Sequence, residues 1–325
     1  RNILHVERDR DAVARSLGLS AAELSAKIAA ARRTLYDARA KRIWPARDEK
    51  ILASWNGLML RAVAEAARAF SDTGYRELAV RNGEFLFREM VRDGRVFRSH
   101  KGGATRIAGF LEDYAALALG ALLLYELTFE REWLDRARAL AASIVRWFWS
   151  DEVEAFFDTA SDHETLITRP RDTTDNATPS GASLTAELFL KLGDLLADAA
   201  MTRRANAVLA AFSEPMVRYP LAFGHALTAA DMVAHGAVEI AIIGEPGSAD
   251  FMALASAIGR RYVPSLVLAG GVARPSGTGL LEGRGMAGGV ATAYVCKGYA
   301  CERPEREPSG LDRQLDRLIP PTARP

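Results

Sequence analysis

The sequence predicts a mainly helical protein, a toroid or solenoid of helical hairpins, with a short α/β section at its C-terminal end. Three observations predict this class. Wholly apolar and amphipathic segments of helical length alternate up to Gly236, and the connections between them alternate between short and long. After Gly236 the pattern changes to short apolar runs typical of strands. Repeated helix pairs with long loops on one side only are typical of such repeat architectures.

The predicted helices fall into two groups by polarity. Inner helices are apolar almost all round, which indicates burial, whereas outer helices are apolar on one face only. Ser20 with Glu23 forms a capping box that begins the first outer helix. The outer helices are predicted at 20–42, 75–90, 132–149 and 197–212, and the inner helices at 55–70, 110–129, 179–192 and 221–233.

The predicted connections place the long loops on one side. Turns from inner to outer helices are short, at 71–74, 130–131 and 193–194, whereas 91–109 and 150–178 are long. Each long connection begins with a predicted hairpin, the first turning at Asp93-Gly94 and the second pairing Glu154–Asp158 with Leu166–Thr168. We therefore expect Asn56, Asp113 and Ser180 at one end of the helical layer, where free helix N–H groups also point.

The section after Gly236 predicts a small α/β domain. Its strands are predicted at 238–243, 265–269 and 291–299, and its helices at 249–261 and 309–318. The predicted domains are therefore 1–236, the helical-hairpin portion, and 237–325, the α/β section. The extended lead-in Arg1–Val6 contains no helix start, and we interpret it as a cut inside a longer protein.

The composition of the chain argues against nucleic acid and membrane as partners. The chain has 325 residues with 42 basic and 41 acidic residues interspersed, which favours neither nucleic acid nor an anionic membrane. No apolar run approaches the roughly 20 residues that span a bilayer. Two cysteines, Cys296 and Cys301, argue against a disulfide-rich secreted scaffold and fit a reducing cytosol, so we expect a cytoplasmic protein. Their spacing is wider than the Cys-x-x-Cys zinc or redox motif, and we expect neither metal nor cofactor.

Five motifs carry a family resemblance: Arg47–Met59, Phe110–Tyr114, Ser161–Glu164, Thr178–Gly181, and Ala293–Cys296 with Cys301. They occur in the expected order over nearly the whole chain, which thereby resembles the thioredoxin-domain-containing family typified by spermatogenesis-associated protein 20. The resemblance implies a thioredoxin-like domain upstream, followed by an (α/α)6 barrel similar to six-hairpin glycosidases and N-acylglucosamine 2-epimerases. This chain lacks the thioredoxin-like part and supplies only part of the barrel. It also carries Ala182 where the family is expected to carry Asn.

Four residues are candidates for proton transfer at the predicted mouth of the barrel: Glu112, Asp113, Asp175 and His163. Two carboxylates across a pocket suit general acid–base work, and histidine changes charge near neutral pH. Each has a structural alternative. Acidic residues in a first helical turn complement the helix dipole, and a single histidine in a hairpin turn is often a surface residue.

Five residues are candidates for substrate binding: Trp55, Asn56, Arg169, Asn176 and Ser180. Trp55 would supply a stacking platform for a sugar, or alternatively would fill the barrel axis with Asn56 as a cap. Arg169 would bind a carboxylate or phosphate, or alternatively would pair with nearby aspartates.

The sequence leaves two functional hypotheses. The first is a carbohydrate-active barrel, a sugar isomerase or epimerase or a glycosidase, using carboxylates at the mouth of the inner helices. The second is a non-catalytic binding or scaffold domain that serves an upstream thioredoxin-like domain. In both, the expected ligand is a small molecule, without nucleic acid or membrane. Separation of Glu112 from Asp175, or their engagement in structural contacts, would favour the second.

Overall fold

The chain divides into two compact units, residues 1–49 and residues 50–325. The predicted boundary after Gly236 falls inside the second unit and stays a prediction. The computed structural model describes residues 5–165, 167–263, 265–272, 279–298 and 300–318.

The first unit contains two helices. Helix α1 (Arg10–Ser16) was not predicted, and it begins at Asp9, whose side chain accepts the first free backbone N–H groups. Helix α2 (Ala21–Ala40) begins with the predicted capping box of Ser20 and Glu23. The start of α2 is therefore confirmed, and its cause is the reciprocal pair of hydrogen bonds at that box.

The second unit repeats helical hairpins, as predicted. Inner helices α3, α5, α7 and α9 pack side by side in that order, while outer helices α4, α6 and α8 pack behind them. Helices α5 and α7 are buried along nearly their whole length. The helices described in this unit are α3 (Ala53–Phe70), α4 (Thr73–Met90), α5 (Leu111–Thr128), α6 (Arg131–Phe148), α7 (Gly181–Leu196), α8 (Ala199–Arg218), α9 (Gly224–His235), α10 (Ala249–Gly259) and α11 (Pro308–Leu318).

The row of inner helices is curved. Arg61 of α3 and Glu187 of α7 lie 2.6 Å apart, although α5 packs between and against both helices. Such a contact requires the row to bend around a concave side, which confirms the toroid-like architecture. Close packing begins at Gly57, where a Cβ atom would lie 2.6 Å from the backbone carbonyl carbon of Ala116. Glycine there lets α3 and α5 approach backbone to backbone.

The short turns share one design. Each begins with a residue in the left-handed region, namely Ser71, Phe129 and Ala197 at φ values of 52°, 59° and 55°. An acidic residue follows in each turn, and Asp72 and Asp198 cap the next helix with their side chains. This pattern reverses the chain within two residues at the C-terminal end of every inner helix that precedes an outer one.

The third short turn lies further along the chain than predicted. The sequence pattern predicts this turn at 193–194. Helix α7 instead continues to Leu196, and Gly193 lies within it. A Cβ atom on Gly193 would lie 2.3 Å from the Thr202 hydroxyl of α8. Gly193 therefore serves close helix crossing and not chain reversal.

The first long connection forms the predicted hairpin and one further strand. Its turn, Asp93-Gly94, has positive φ at both residues, as a tight two-residue hairpin requires. The strand after this turn also pairs with the third strand of the connection and with a short strand that precedes α3. The strands are β1 (Ile51–Leu52), β2 (Val91–Arg92), β3 (Arg95–Lys101) and β4 (Ala104–Ala108).

The second predicted hairpin is wrong in its pairing. Strand β6 (Ala155–Phe156) pairs with the preceding strand β5 (Trp149–Ser150) and not with 166–168. Leu166 lies outside the described residues, and residues 167–168 form a bend. The local pairing closes a much shorter loop, which costs less chain entropy, and the rings of Trp149 and Phe156 meet edge-on at 4.8 Å.

The α/β section is a four-stranded sheet with two helices. Its strand order is β10-β9-β7-β8, with β7 and β8 parallel and the other pairs antiparallel. The Tyr125 hydroxyl of α5 bonds the backbone N–H and carbonyl of Gly270 in β8. The sheet is thereby attached at the C-terminal end of an inner helix. The strands are β7 (Val238–Ile243), β8 (Leu266–Gly271), β9 (Thr292–Lys297) and β10 (Ala300–Cys301).

The structure differs from the expectation that the two cysteines are reduced. Cys296 of β9 and Cys301 of β10 are joined by a disulfide. The two residues are also cross-strand partners in the antiparallel pair, which brings their side chains together. Tyr299, the predicted end of this strand, lies outside the described residues.

No helix in the described part of the chain has the length and apolar character needed to cross a membrane.

Candidate functional site

The N-terminal ends of the inner helices meet at one end of the second unit, which we call the mouth. An Asp113 oxygen of α5 accepts the Ser54 N–H of α3 at 3.0 Å. A Cβ atom on Gly181, the first residue of α7, would lie 2.8 Å from the Glu112 backbone nitrogen. The expectation that Asn56, Asp113 and Ser180 share one end is therefore confirmed.

Asp113 is fully buried at the mouth, and both of its oxygens are engaged. One accepts the Ser54 N–H, and the other accepts the Phe110 N–H at 3.0 Å and Arg98 at 3.3 Å. Burial raises the pKa of Asp113, although these hydrogen bonds and the charge of Arg98 oppose the rise. The carboxylate ties the start of α3 to the start of α5.

Glu112 lies beside Asp113 but is partly exposed. Arg98 of β3 donates to a Glu112 oxygen at 2.7 Å and packs its guanidinium over the Phe110 ring at 4.8 Å. Adjacent helix positions point about 100° apart, so Glu112 faces outward while Asp113 faces the helix starts. Arg98 therefore contacts both Glu112 and Asp113.

Asp175 performs the same task for the next pair of inner helices. One oxygen accepts the Ser180 N–H at 2.9 Å, and the other accepts the N–H groups of His225 and Ala226 at 2.8 and 3.0 Å. The first is the N-cap residue of α7, and the other two begin α9. Asp175 therefore connects the starts of α7 and α9 through charge-assisted hydrogen bonds.

His163 and Arg169 lie on the loop that follows β6. The His163 ring meets the Phe110 ring edge-on at 5.9 Å, and burial lowers the pKa of this histidine. Arg169 donates to the backbone carbonyls of Thr159 and Trp147 at 3.0 and 2.9 Å. Arg169 thus joins its loop to the last turn of α6.

The remaining predicted binding residues are also placed. Trp55 is 63% exposed and points away from α5, because Gly57, which contacts the α5 backbone, lies about 200° further around the helix. Asn56 donates to the Leu52 carbonyl at 2.9 Å, and Asn176 accepts the Ala177 N–H at 3.1 Å. Ser180 is buried as the N-cap of α7. Three of these four side chains therefore bond local backbone.

Asp158 is a mouth carboxyl that the sequence analysis did not select. Burial raises the pKa of Asp158 to about 6, and the neighbouring charges of Asp172 and Glu112 add to the rise. One oxygen accepts the Asp172 N–H at 2.6 Å. Sequence pattern offered no signal, because Asp158 resembles any acidic residue after a strand.

Asp158→Asn is expected to change how stability depends on pH. A carboxyl whose pKa is raised by folding is neutral in both states at low pH. Between the pKa of the unfolded chain, near 3.9, and the folded pKa of about 6, the unfolded carboxyl ionises while the folded one stays protonated. The folded state therefore loses stability as the pH rises through this range. The amide cannot ionise and keeps an acceptor for the Asp172 N–H. Melting temperatures should therefore favour the variant more at pH 7 than at pH 4, and an equal difference at both would contradict this assignment.

A second polar region, the inner cavity, lies on the concave side of the inner helices. It has a volume of about 600 Å³, and residues 259–263, 265 and 266, from the end of α10 to the start of β8, also line it. The inner helices contribute six charged side chains to its lining: Arg61, Glu65, Arg68, Glu126, Glu187 and Lys191. Charged groups on helices that are otherwise apolar need partners when they are buried.

Glu187 is the centre of a buried ionic cluster at the wall of this cavity. Arg61 lies 2.6 Å from its carboxylate, the imidazole Nε2 of His225 lies at 2.9 Å, and Lys191 Nζ lies at 3.8 Å. Burial alone would raise the pKa of Glu187. The hydrogen bond with His225 and the charges of Arg61 and Lys191 outweigh burial, so they hold that pKa far below its usual range.

His225 connects the mouth with the Glu187 cluster. Its backbone N–H donates to Asp175, and its ring Nε2 lies 2.9 Å from a Glu187 oxygen. Asp175 therefore sets the position of the helix turn that presents this imidazole.

Sequence reasoning missed this cluster, although part of its signal was visible. Arg61 belongs to a narrow polar stripe on α3, and Glu187 and Lys191 stand four residues apart in the apolar helix α7. The sequence pattern does not show that Arg61 pairs with Glu187, because the two residues are 126 positions apart.

Comparison with known proteins gives sequence relatives but no matching family model. Human spermatogenesis-associated protein 20 is 30% identical over 97% of this chain, and the rat protein of the same name has the same identity and coverage. An uncharacterised protein of Caenorhabditis elegans is 26% identical over 92% of the chain. The chain spans 42% of the length of each of these relatives.

The solved structures to which the chain is similar are more distant in sequence than these relatives. A GH76 α-mannanase of Bacteroides thetaiotaomicron is 17% identical, with a TM-score of 0.41 over 50% of this chain and 44% of its own. Cellobiose 2-epimerase of Bacillus thermoamylovorans is 16% identical, with a TM-score of 0.44 over 52% and 46%. Unsaturated glucuronyl hydrolase of Bacillus sp. GL1 is 16% identical, with a TM-score of 0.41 over 53% and 49%.

The sequence relatives cover almost the entire chain, and the motifs of the mouth and of β9 lie within the matched region. The chain is a homologue of spermatogenesis-associated protein 20 and corresponds to 42% of the length of that protein.

Proposed function

We propose that the inner cavity binds a carbohydrate-class small molecule and that the Glu187–His225 pair moves a proton on it, as in sugar isomerisation or epimerisation. The observation that carries this proposal is the buried Glu187–Arg61 pair in the wall of a cavity of about 600 Å³, with the His225 ring nitrogen 2.9 Å from the same carboxylate. A volume in the range of roughly 300–1,000 Å³ suits a small-molecule ligand.

The lining supports a polyhydroxylated ligand. Arg61, Arg68 and Lys191 present only hydrogen-bond donors, whereas Glu65 and Glu126 present acceptors. Sugar hydroxyls both donate and accept, so they can use both kinds of group at once.

The charges favour isomerisation over hydrolysis. Glycoside hydrolysis needs a carboxylic acid that is protonated near neutral pH, whereas the pKa of Glu187 is lowered and the group stays ionised. An ionised carboxylate orients the imidazole ring of a neighbouring histidine. Arg61 lies where it could stabilise negative charge that develops on a substrate oxygen.

A second candidate is a binding domain without catalysis, and one observation favours it. Asp113 and Asp175, two of the carboxylates predicted to handle protons, both accept helix N–H groups at the mouth. The proton-transfer hypothesis for the predicted mouth residues Glu112, Asp113, Asp175 and His163 therefore gains no support from their contacts. In the proposed mechanism, Asp113 and Asp175 position the inner helices.

Ligand binding is tested first and proton transfer second. Calorimetric titration of neutral sugars and uronic acids into the protein should reveal a binder, and proton magnetic resonance in D₂O should then show deuterium entering a C–H position of that sugar. His225→Gln should abolish the exchange while keeping binding. The control is His235→Gln, on the exposed end of the same helix α9, which should exchange as the unmodified protein does.

Each outcome separates the candidates. Absence of any sugar binding would overturn the proposed ligand class. Binding without exchange would leave the non-catalytic domain as the better account. Equal exchange in both histidine variants would remove His225 from the reaction.

A further inference from the structure

The disulfide between Cys296 and Cys301 lies at the edge of the α/β sheet, with its two sulfurs in different surroundings. Cys296, on β9, is buried, whereas Cys301, on the edge strand β10, is exposed. The strand order places β10 on the outer side of β9. A soluble thiol therefore reaches Cys301 more readily than Cys296.

A guanidinium lies against the buried sulfur. Arg284 Nη2 is 3.5 Å from Cys296 Sγ, and the same guanidinium bonds the Leu280 carbonyl and lies 5.8 Å from the centre of the Tyr294 ring. The Tyr294 hydroxyl in turn donates to the Gly285 carbonyl at 2.7 Å. These contacts fix Arg284 beside Cys296, where its positive charge would stabilise a thiolate.

The local fold does not depend on the disulfide alone. Backbone hydrogen bonds join Glu302 to Val295 at 2.8 Å and Ala293 to Glu305 at 2.7 and 2.9 Å. The disulfide links residues only five apart in sequence, and cross-linking stabilises a fold less when the closed loop is short. The edge of the sheet should therefore keep its pairing after reduction.

We propose that Cys296–Cys301 is a thiol–disulfide exchange site that takes an external dithiol as its reductant and is attacked at Cys301. This activity is independent of the inner cavity and of its proposed ligand. The asymmetry of the two sulfurs carries the proposal: the accessible sulfur receives the nucleophile, and the sulfur beside Arg284 is the leaving group.

The exchange balances in two steps. A thiolate of the external dithiol attacks Cys301 Sγ, the Cys296–Cys301 bond breaks, and its electron pair goes to Cys296 Sγ as a thiolate beside Arg284. The second thiol of the reagent then attacks its own sulfur in the mixed disulfide, releasing Cys301 as a thiolate. The protein gains two electrons and two protons, and the external dithiol is oxidised to a disulfide. A leaving thiolate of lower pKa departs faster.

The test uses dithiothreitol and the whole chain under native conditions, with alkylation and mass measurement following reduction over time. Arg284→Gln should be reduced about fivefold more slowly, because Cys296 then leaves without its stabilising charge. The matched control is Arg317→Gln. That arginine pairs with Glu302, next to Cys301, and contacts neither sulfur, so the control should be reduced at the unmodified rate.

A second measurement locates the attack. Glutathione, which has a single thiol, should leave its mixed disulfide on Cys301 when peptides are examined by mass spectrometry. An adduct on Cys296, an unchanged rate in Arg284→Gln, or reduction only in denaturant would each overturn the proposal. Circular dichroism of the reduced protein should still show a cooperative melting transition, which separates exchange at the site from loss of the fold.

Discussion

Glu187→Gln is expected to lower the free energy of unfolding by about 3–5 kcal/mol, because it removes the negative charge from a buried cluster and leaves the cations behind. Arg61 and Lys191 would then face an uncharged amide in a site where Glu187 is only 5% exposed. Removing one partner of a buried ion pair costs far more than the pair itself contributes, since the remaining charge stays out of water.

Urea unfolding at pH 7 measures the effect, and the chain offers a matched control. Glu65 also faces Arg61, at 3.8 Å, but its side chain is 52% exposed. Glu65→Gln should therefore cost less than about 1 kcal/mol, as exposed ion pairs do. Equal losses in the two variants would show that the Glu187 cluster is not buried as described.

The pH dependence of the Glu187 effect has a definite sign. Folding lowers the pKa of this carboxyl, so its stabilising contribution is fully present above the unfolded value near 4.3 and is lost as the pH falls below it. The gap between the unmodified protein and Glu187→Gln should persist from pH 8 to pH 5 and shrink only in more acidic solution. A gap that closes between pH 7 and pH 5 would contradict this assignment.

The helical framework was predictable because its causes are local. Alternating polarity identifies the inner and outer helices directly, since burial of a helix on all sides demands apolar residues on all sides. The Ser20–Glu23 capping box and the Asp93-Gly94 turn are likewise complete within a few residues. Their physical determinants therefore stand in the sequence itself.

The predictions were wrong where contacts between residues far apart in sequence determine the local structure. Gly193 has the same local signature whether it ends a helix or lets two helices cross closely, and only the position of Thr202 decides. Ala155 and Phe156 could pair with either neighbour by pattern alone. The disulfide depends on the cross-strand register that brings Cys301 opposite Cys296.

The candidate site shows the same division. Sequence reasoning placed Asp113 and Asp175 at the correct end of the correct helices, but an acidic residue at a helix start is equally typical of capping and of catalysis. Their hydrogen-bond partners, Ser54 for Asp113 and His225 for Asp175, lie far away in sequence. The inner cavity escaped prediction for the same reason.

Asp113→Asn is expected to destabilise the second unit by about 2–3 kcal/mol, because a buried backbone N–H loses its acceptor. The two carboxylate oxygens accept from Ser54 and Phe110, and replacing one oxygen with NH₂ brings two donors face to face. Glu112→Gln is the paired control. Its side chain is 34% exposed and bonds only Arg98 among the described residues, so it should cost less than about 1 kcal/mol.

Thermal and urea unfolding of these two neighbours decide between capping and catalysis at the mouth. A catalytic Asp113 would tolerate the amide in the fold and lose only turnover, because the substitution preserves shape while removing the titratable group. A clamp between α3 and α5 would instead lose stability in Asp113→Asn and keep it in Glu112→Gln. Equal stability of both variants would return Asp113 to the list of proton-transfer candidates, since its hydrogen bonds to the helix starts would then be dispensable to the fold.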